Sequence, residues 1–164
     1  MRPIVPAGFA VLAGLTALAA CGGGAGGGSA AAAPVASASQ AMLAFFQAAA
    51  DSNLTRMAQL WGTAEGPASR TGKPDGWEKR LIVIQAYFRG DSTRVVSDVP
   101  VTGNDNQRRV IVALYRFGCM RQIPATVTRA RDGGWLVEDF DIQTAGNPAR
   151  PCEPGLELLE ALTR

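Results

Sequence analysis

From Arg94 onward the chain repeats one pattern four times. Runs rich in Val, Ile, Leu and Tyr cover 94–101, 108–117, 123–131 and 135–142. The breaks between them are short and carry turn residues, Gly103-Asn104-Asp105-Asn106 and Asp132-Gly133-Gly134. Runs of this length and composition read as strands. Consecutive strands joined by short turns can pair only as antiparallel neighbours, because a parallel pair needs a long crossover. Pro124 has no N–H to give to a ladder, which predicts an edge or a strand entry at that point.

The half before Arg94 has the other period. Met42, Phe45, Phe46 and Ala49 recur at helical spacing from about Ser39,. After Asp51-Ser52-Asn53, with Ser52 or Asn53 as cap, a second short helix carries Leu54, Met57, Ala58 and Trp61,. Residues 62–76 read as a loop with room for one short strand. A third helix spans 76–89, with Trp77, Leu81, Ile84 and Phe88 as its stripe and Gly90 as its C-cap,. A loop is expected at 147–155 and a helical turn at 156–162.

Helices followed by a meander define an α+β domain, with the helices packed on one face of a curved antiparallel sheet. Hydrophobic residues make up 47% of the 164 residues and charged ones 18%, enough apolar side chain for one core,. Sixteen basic and 14 acidic residues nearly cancel. That balance argues against a nucleic-acid partner, whose binders concentrate positive charge. The absence of histidine removes the commonest metal ligand and general base,. No metal and no cofactor is expected.

The N-terminus carries an address. Arg2 precedes an apolar run from Ile4 to Ala20, the charge pattern of an export signal,. The run ends Leu18-Ala19-Ala20-Cys21, which resembles the lipobox of bacterial lipoproteins. That resemblance implies cleavage of residues 1–20 and acylation of Cys21, leaving 144 residues with 15 basic and 14 acidic side chains. It also implies a bacterial cell-envelope location with the membrane as partner. Gly22, in place of a retaining aspartate, leans towards the outer membrane, periplasmic face. Residues 21–38, mostly Gly, Ala and Ser, cannot bury enough to order themselves and read as a tether,. The sixteen residues from Gly22 to Ser37 correspond to a span of roughly 20–24 Å at ~5–6 Å × √n,. The folded domain is then 39–164.

The order of elements, and above all Asp132-Gly133-Gly134-Trp135-Leu136-Val137-Glu138-Asp139-Phe140, resembles the nuclear transport factor 2-like superfamily. The likeness covers about 39–144. It implies the cystatin-like cone shared with ketosteroid isomerase and polyketide cyclases, with a pocket between the helices and the concave sheet. Trp61, Tyr87, Phe88, Tyr115 and Trp135 are the aromatic candidates for lining it, the alternative being that they are core. Strict alternation puts Trp135, Val137, Asp139 and Asp141 on one face of the last strand and Leu136, Glu138, Phe140 and Ile142 on the other,. If the first set faces inward, Asp139 or Asp141 becomes a candidate general base, with Tyr115 or Tyr87 as oxyanion donor. An aspartate near a strand end more often caps a loop. The relatives that pair an acid with a histidine find no histidine here, which weighs against an enzyme.

With Cys21 assigned to lipid, Cys119 and Cys152 are left, and an exported location permits a disulfide between them. For a loop of this size the chain-entropy contribution is roughly 3–4 kcal/mol. Arg89-Gly90-Asp91 reads as a helix end, and Asn53-Leu54-Thr55 as a glycosylation pattern seldom used in a bacterium. The expectation is a lipid-anchored, non-catalytic domain that binds a small apolar ligand or an envelope protein, with a dimer as one option. The alternatives are an isomerase- or cyclase-like enzyme using an aspartate, and a structural envelope protein with a filled core.

Overall fold

The computed structural model describes residues 34–150. The expected signal peptide, Cys21, the expected tether up to residue 33, Cys152 and the turn expected at 156–162 lie outside the described residues.

Helix α1 spans Ala38–Ala50, and Ser37 caps it by accepting the Gln40 N–H. Its expected stripe, Met42, Phe45, Phe46 and Ala49, is fully buried. Helix α2, Leu54–Leu60, is capped by Asn53, whose side chain accepts the Arg56 N–H; Ser52 instead takes a positive φ. Trp61 falls just past its last turn, and Leu54 is exposed, so only Met57 and Ala58 of the expected stripe serve the core from within the helix. Residues 62–76 hold more structure than the single strand expected there. Gly62–Thr63 (β1) pairs antiparallel with Gly66–Pro67 (β2), and a one-turn helix α3 covers Ala68–Thr71.

Helix α4, Trp77–Phe88, buries Leu81, Ile84 and Phe88, while Trp77 packs partly buried against the core. Its C-cap is Arg89 in extended backbone, not Gly90. Gly90 answers to a close approach instead. A Cβ there would stand 2.4 Å from Leu114 Cδ1 and 2.8 Å from the Tyr115 carbonyl oxygen.

The four expected strands form one antiparallel sheet in the order β3-β4-β5-β6, made of Ser92–Val101, Asn104–Arg116, Cys119–Arg129 and Trp135–Phe140. The first turn is tighter than expected: Val101 already pairs with Asn104, so Thr102-Gly103 makes the reversal. The second is Phe117-Gly118, both with positive φ, the backbone of a type I′ turn,. Pro124 is not at the entry of β5, which begins at Cys119. Its carbonyl accepts the Asp141 N–H on the β6 side, one residue beyond the last β5–β6 pair, Ala125 with Phe140. Its missing N–H therefore faces the end of the ladder, where no partner is required.

Alternation sends Val110, Val112 and Leu114 of β4 and Ile123, Ala125 and Val127 of β5 to one face, where all are buried against α1, α2 and α4,. Strand β6 breaks its alternation. The register with β5 shifts between Thr126 and Val127, so Val137 pairs with Val127 but Asp139 with Thr126, and Glu138 is the extra residue of a bulge,. Trp135 and Val137 face the helices before it, Phe140 and Ile142 after it. Neither set of four residues read from strict alternation shares one face. A 3₁₀ turn, Ile142–Ala145, then packs against β5 and α4.

A polar tie sets α1 on the sheet. Ser39 Oγ donates to Asp98 Oδ2 at 2.5 Å, and Arg108 pairs with the other carboxylate oxygen while its Nη2 donates to the Asp98 carbonyl at 3.0 Å. Arg108 thus turns inward. Burial raises the Asp98 carboxyl, but the Ser39 and Arg108 hydrogen bonds and the Arg108 charge outweigh it and hold the group below the ordinary aspartate range. The folded state therefore favours the ionised form, and this contribution is fully present above the unfolded value of about 3.9. It is lost as pH falls through the folded-state value. Urea midpoints measured from pH 6 down to pH 2 should drop more steeply for the native chain than for Asp98→Asn. Parallel curves would remove this group from the acid sensitivity.

Candidate functional site

The bulge at Glu138 borders a concavity among the described residues. By turning Phe140 towards the helices it opens a cleft of about 620 Å³ between α4 and the end of β6. Phe140 and Ile142 line one side, Val83 and Ile84 of α4 the other. Trp61, Gly62 and Thr63 line it from the α2–β1 connection, and Pro74 from the loop before α4. The Phe140 ring lies 4.7 Å from Phe88 and 6.1 Å from Phe45, so the cleft opens directly onto the aromatic core.

Trp61 is held on both sides. Its backbone forms a parallel bridge with Val137, and its indole Nε1 donates to the Glu138 carbonyl at 3.2 Å. That bond uses the bulge, since Glu138 is the residue the ladder leaves over. Charges stand at the rim: Lys79 and Arg80 on α4, Glu138 and Asp139 on β6. Glu138 is engaged, its carboxylate accepting from Gln107 Nε2 at 2.8 Å.

Of the aromatic candidates only Trp61 lines this cleft. Phe88 is core, stacked 4.7 Å from Phe46 and edge-on to Phe45. Trp135 faces the helices but packs at the opposite end of β6, where its N–H donates to the Val35 carbonyl. Tyr87, on α4, is half-buried against the core, and its carbonyl accepts from Arg116. Tyr115 points to the other face of the sheet, since it follows inward-facing Leu114,. There its hydroxyl accepts from Arg94 Nε at 2.9 Å, with the guanidinium over the ring.

The two aspartates separate as well. Asp139 is exposed on the cleft rim, and Asp141 is exposed and caps the 3₁₀ turn by accepting the Gln143 N–H. The structure does not bring either of them together with Tyr115. A carboxylate enclosed in an apolar cone is not what β6 builds, because the bulge gives the inward positions to Phe140 and Ile142. Cys119, the first residue of β5, is disulfide-bonded, and the expected partner Cys152 lies outside the described residues.

Sequence reasoning passed over Pro74, Val83, Phe140 and Ile142 as a set. One signal was present. Ile82 and Val83 interrupt the polar side of a helix whose core stripe is 81, 84 and 88. Apolar residues off the stripe mark a second surface. Compared with protein-family models, with curated proteins and with solved structures, the chain matches none.

Proposed function

We propose that this is a lipid-anchored protein of the bacterial envelope whose domain, of the nuclear transport factor 2-like kind, binds a small, largely apolar ligand in the α4–β6 cleft without catalysing a reaction on it. The lipobox-like Leu18-Ala19-Ala20-Cys21 and the Gly-rich tether support the anchor. The cleft carries the binding reading. Its volume, about 620 Å³, falls in the range of roughly 300–1,000 Å³ usual for small-molecule sites,. Apolar walls with charges confined to the rim suit a ligand whose body is apolar and whose polar end stays in water. Thr63 is the one hydroxyl among the lining residues.

Native mass spectrometry of the mature chain, extracted from membranes in mild detergent, tests the reading. A few hundred daltons beyond the lipidated mass, lost on unfolding, are expected. A Val83→Trp change, at a half-exposed position on the wall, should fill the cleft and remove the added mass without unfolding the domain. A bare native chain, or an adduct that Val83→Trp leaves in place, would overturn it.

A further inference from the structure

We infer that the ligand of the α4–β6 cleft is a single-chain amphiphile with an anionic head, the chemistry of a fatty-acid carboxylate, whose head pairs with Lys79 and Arg80. The inference rests on the reading of that cleft as the binding site. Helix α4 contributes Lys79, Arg80, Val83 and Ile84 to the lining. Val83 follows Lys79, and Ile84 follows Arg80, at the i, i+4 spacing that stacks side chains along one side of a helix,. One end of the α4 wall is therefore cationic and the next turn aliphatic, the order of groups in an amphiphile.

The acids and bases of the lining do not cancel, because the sheet turns the two acids away. Asp139 pairs with Thr126, and paired residues share a face,. Thr126 lies between Ala125 and Val127, both buried against the helices, so Thr126 and Asp139 belong to the outer face of the sheet,. The Glu138 carboxylate accepts from Gln107 Nε2 at 2.8 Å. Gln107 pairs with Thr128, which shares that outer face with Thr126,. Both β6 carboxylates thus lie on the outer side of the sheet. Of the charged lining groups, the ammonium and guanidinium of α4 are the ones left on the helix side.

Those two groups are also available. Among the described residues neither Lys79 nor Arg80 is in an ion pair, and both are exposed. Asp75 and Glu78, the acids nearest to them in sequence, do not line the cleft. Two neighbouring positive charges at the mouth attract an anion and repel a cation. The walls beyond them, Pro74, Val83, Ile84, Phe140 and Ile142, carry no charge and suit an alkyl chain. An exposed ion pair changes affinity roughly two- to fivefold, so two pairs together give about tenfold. Salt screens such pairs and reduces the gain.

Displacement of N-phenyl-1-naphthylamine, an uncharged fluorescent probe of apolar sites, tests this on the full chain with Cys21→Ser, which has no thiol there to acylate. Dodecanoate and dodecyltrimethylammonium, matched in chain and opposite in head, serve as displacers at neutral pH, below the concentrations at which they form micelles. Dodecanoate should displace the probe at about tenfold lower concentration than the cation, and added salt should narrow the gap. The double change Lys79→Gln and Arg80→Gln, at two exposed positions, should remove the preference and leave probe binding intact. Equal displacement by the two heads, or a preference that survives the double change, would overturn the inference while leaving the cleft as the binding site. Probe binding that Val83→Trp does not weaken would overturn the reading of the cleft itself, and the inference with it.

Discussion

Replacing Phe88 by alanine should lower stability by about 3–5 kcal/mol, the range for emptying a buried aromatic site. Phe88 is fully buried at the point where α1, α4 and β6 meet. Its ring stacks on Phe46 at 4.7 Å and touches Phe140 edge-on at 4.7 Å, with Phe45 at 6.3 Å. Three rings lose a neighbour at once, and none can fill the space without leaving its own packing. Urea unfolding followed by circular dichroism measures the loss. Phe117→Ala is the internal control: Phe117 is 63% exposed in a turn, so its truncation should cost far less. Equal losses at the two positions would show that the aromatic cluster is not the centre of the core.

Trp61→Ala should cost a similar amount, about 3–5 kcal/mol, and abolish ligand retention as well. The indole is nearly buried and forms one wall of the cleft, and its N–H bonds to the carbonyl of the bulge residue Glu138. Trp61→Phe separates the two contributions. It keeps most of the apolar bulk and removes the hydrogen bond, a loss of about 1 kcal/mol. Unfolding midpoints give the stability, and native mass spectrometry the ligand. If Trp61→Ala kept its ligand while losing stability, Trp61 would be a structural strut and not part of the binding wall.

The helices were legible because each carries one apolar stripe and its own end signals. Met42, Phe45, Phe46 and Ala49 state the period of α1, and Asn53 supplies the cap that α2 uses. The meander was legible for the same local reason, since four apolar runs with short breaks admit one pairing scheme. Misplaced boundaries came from residues with two readings. Gly90 looks like a left-handed cap, yet its missing Cβ is needed for the approach of Leu114. Asn104 looks like turn sequence, yet it already pairs with Val101.

The candidate site was far less legible, and the bulge is the reason. A single extra residue at Glu138 reverses which side of β6 faces the helices, and no local preference of Glu138 or Asp139 announces it. The shift depends on how β5 and the Trp61 connection grip the strand. It is therefore a property of the packed sheet. The same step exposes Asp139, leaves Asp141 to cap a turn, and brings Phe140 and Ile142 to the cleft. Class, helix faces and strand order follow from period and composition, which act between neighbours along the chain. Which residues share a cavity was decided by register between strands and by the placement of α4 against β6, contacts between segments far apart in sequence.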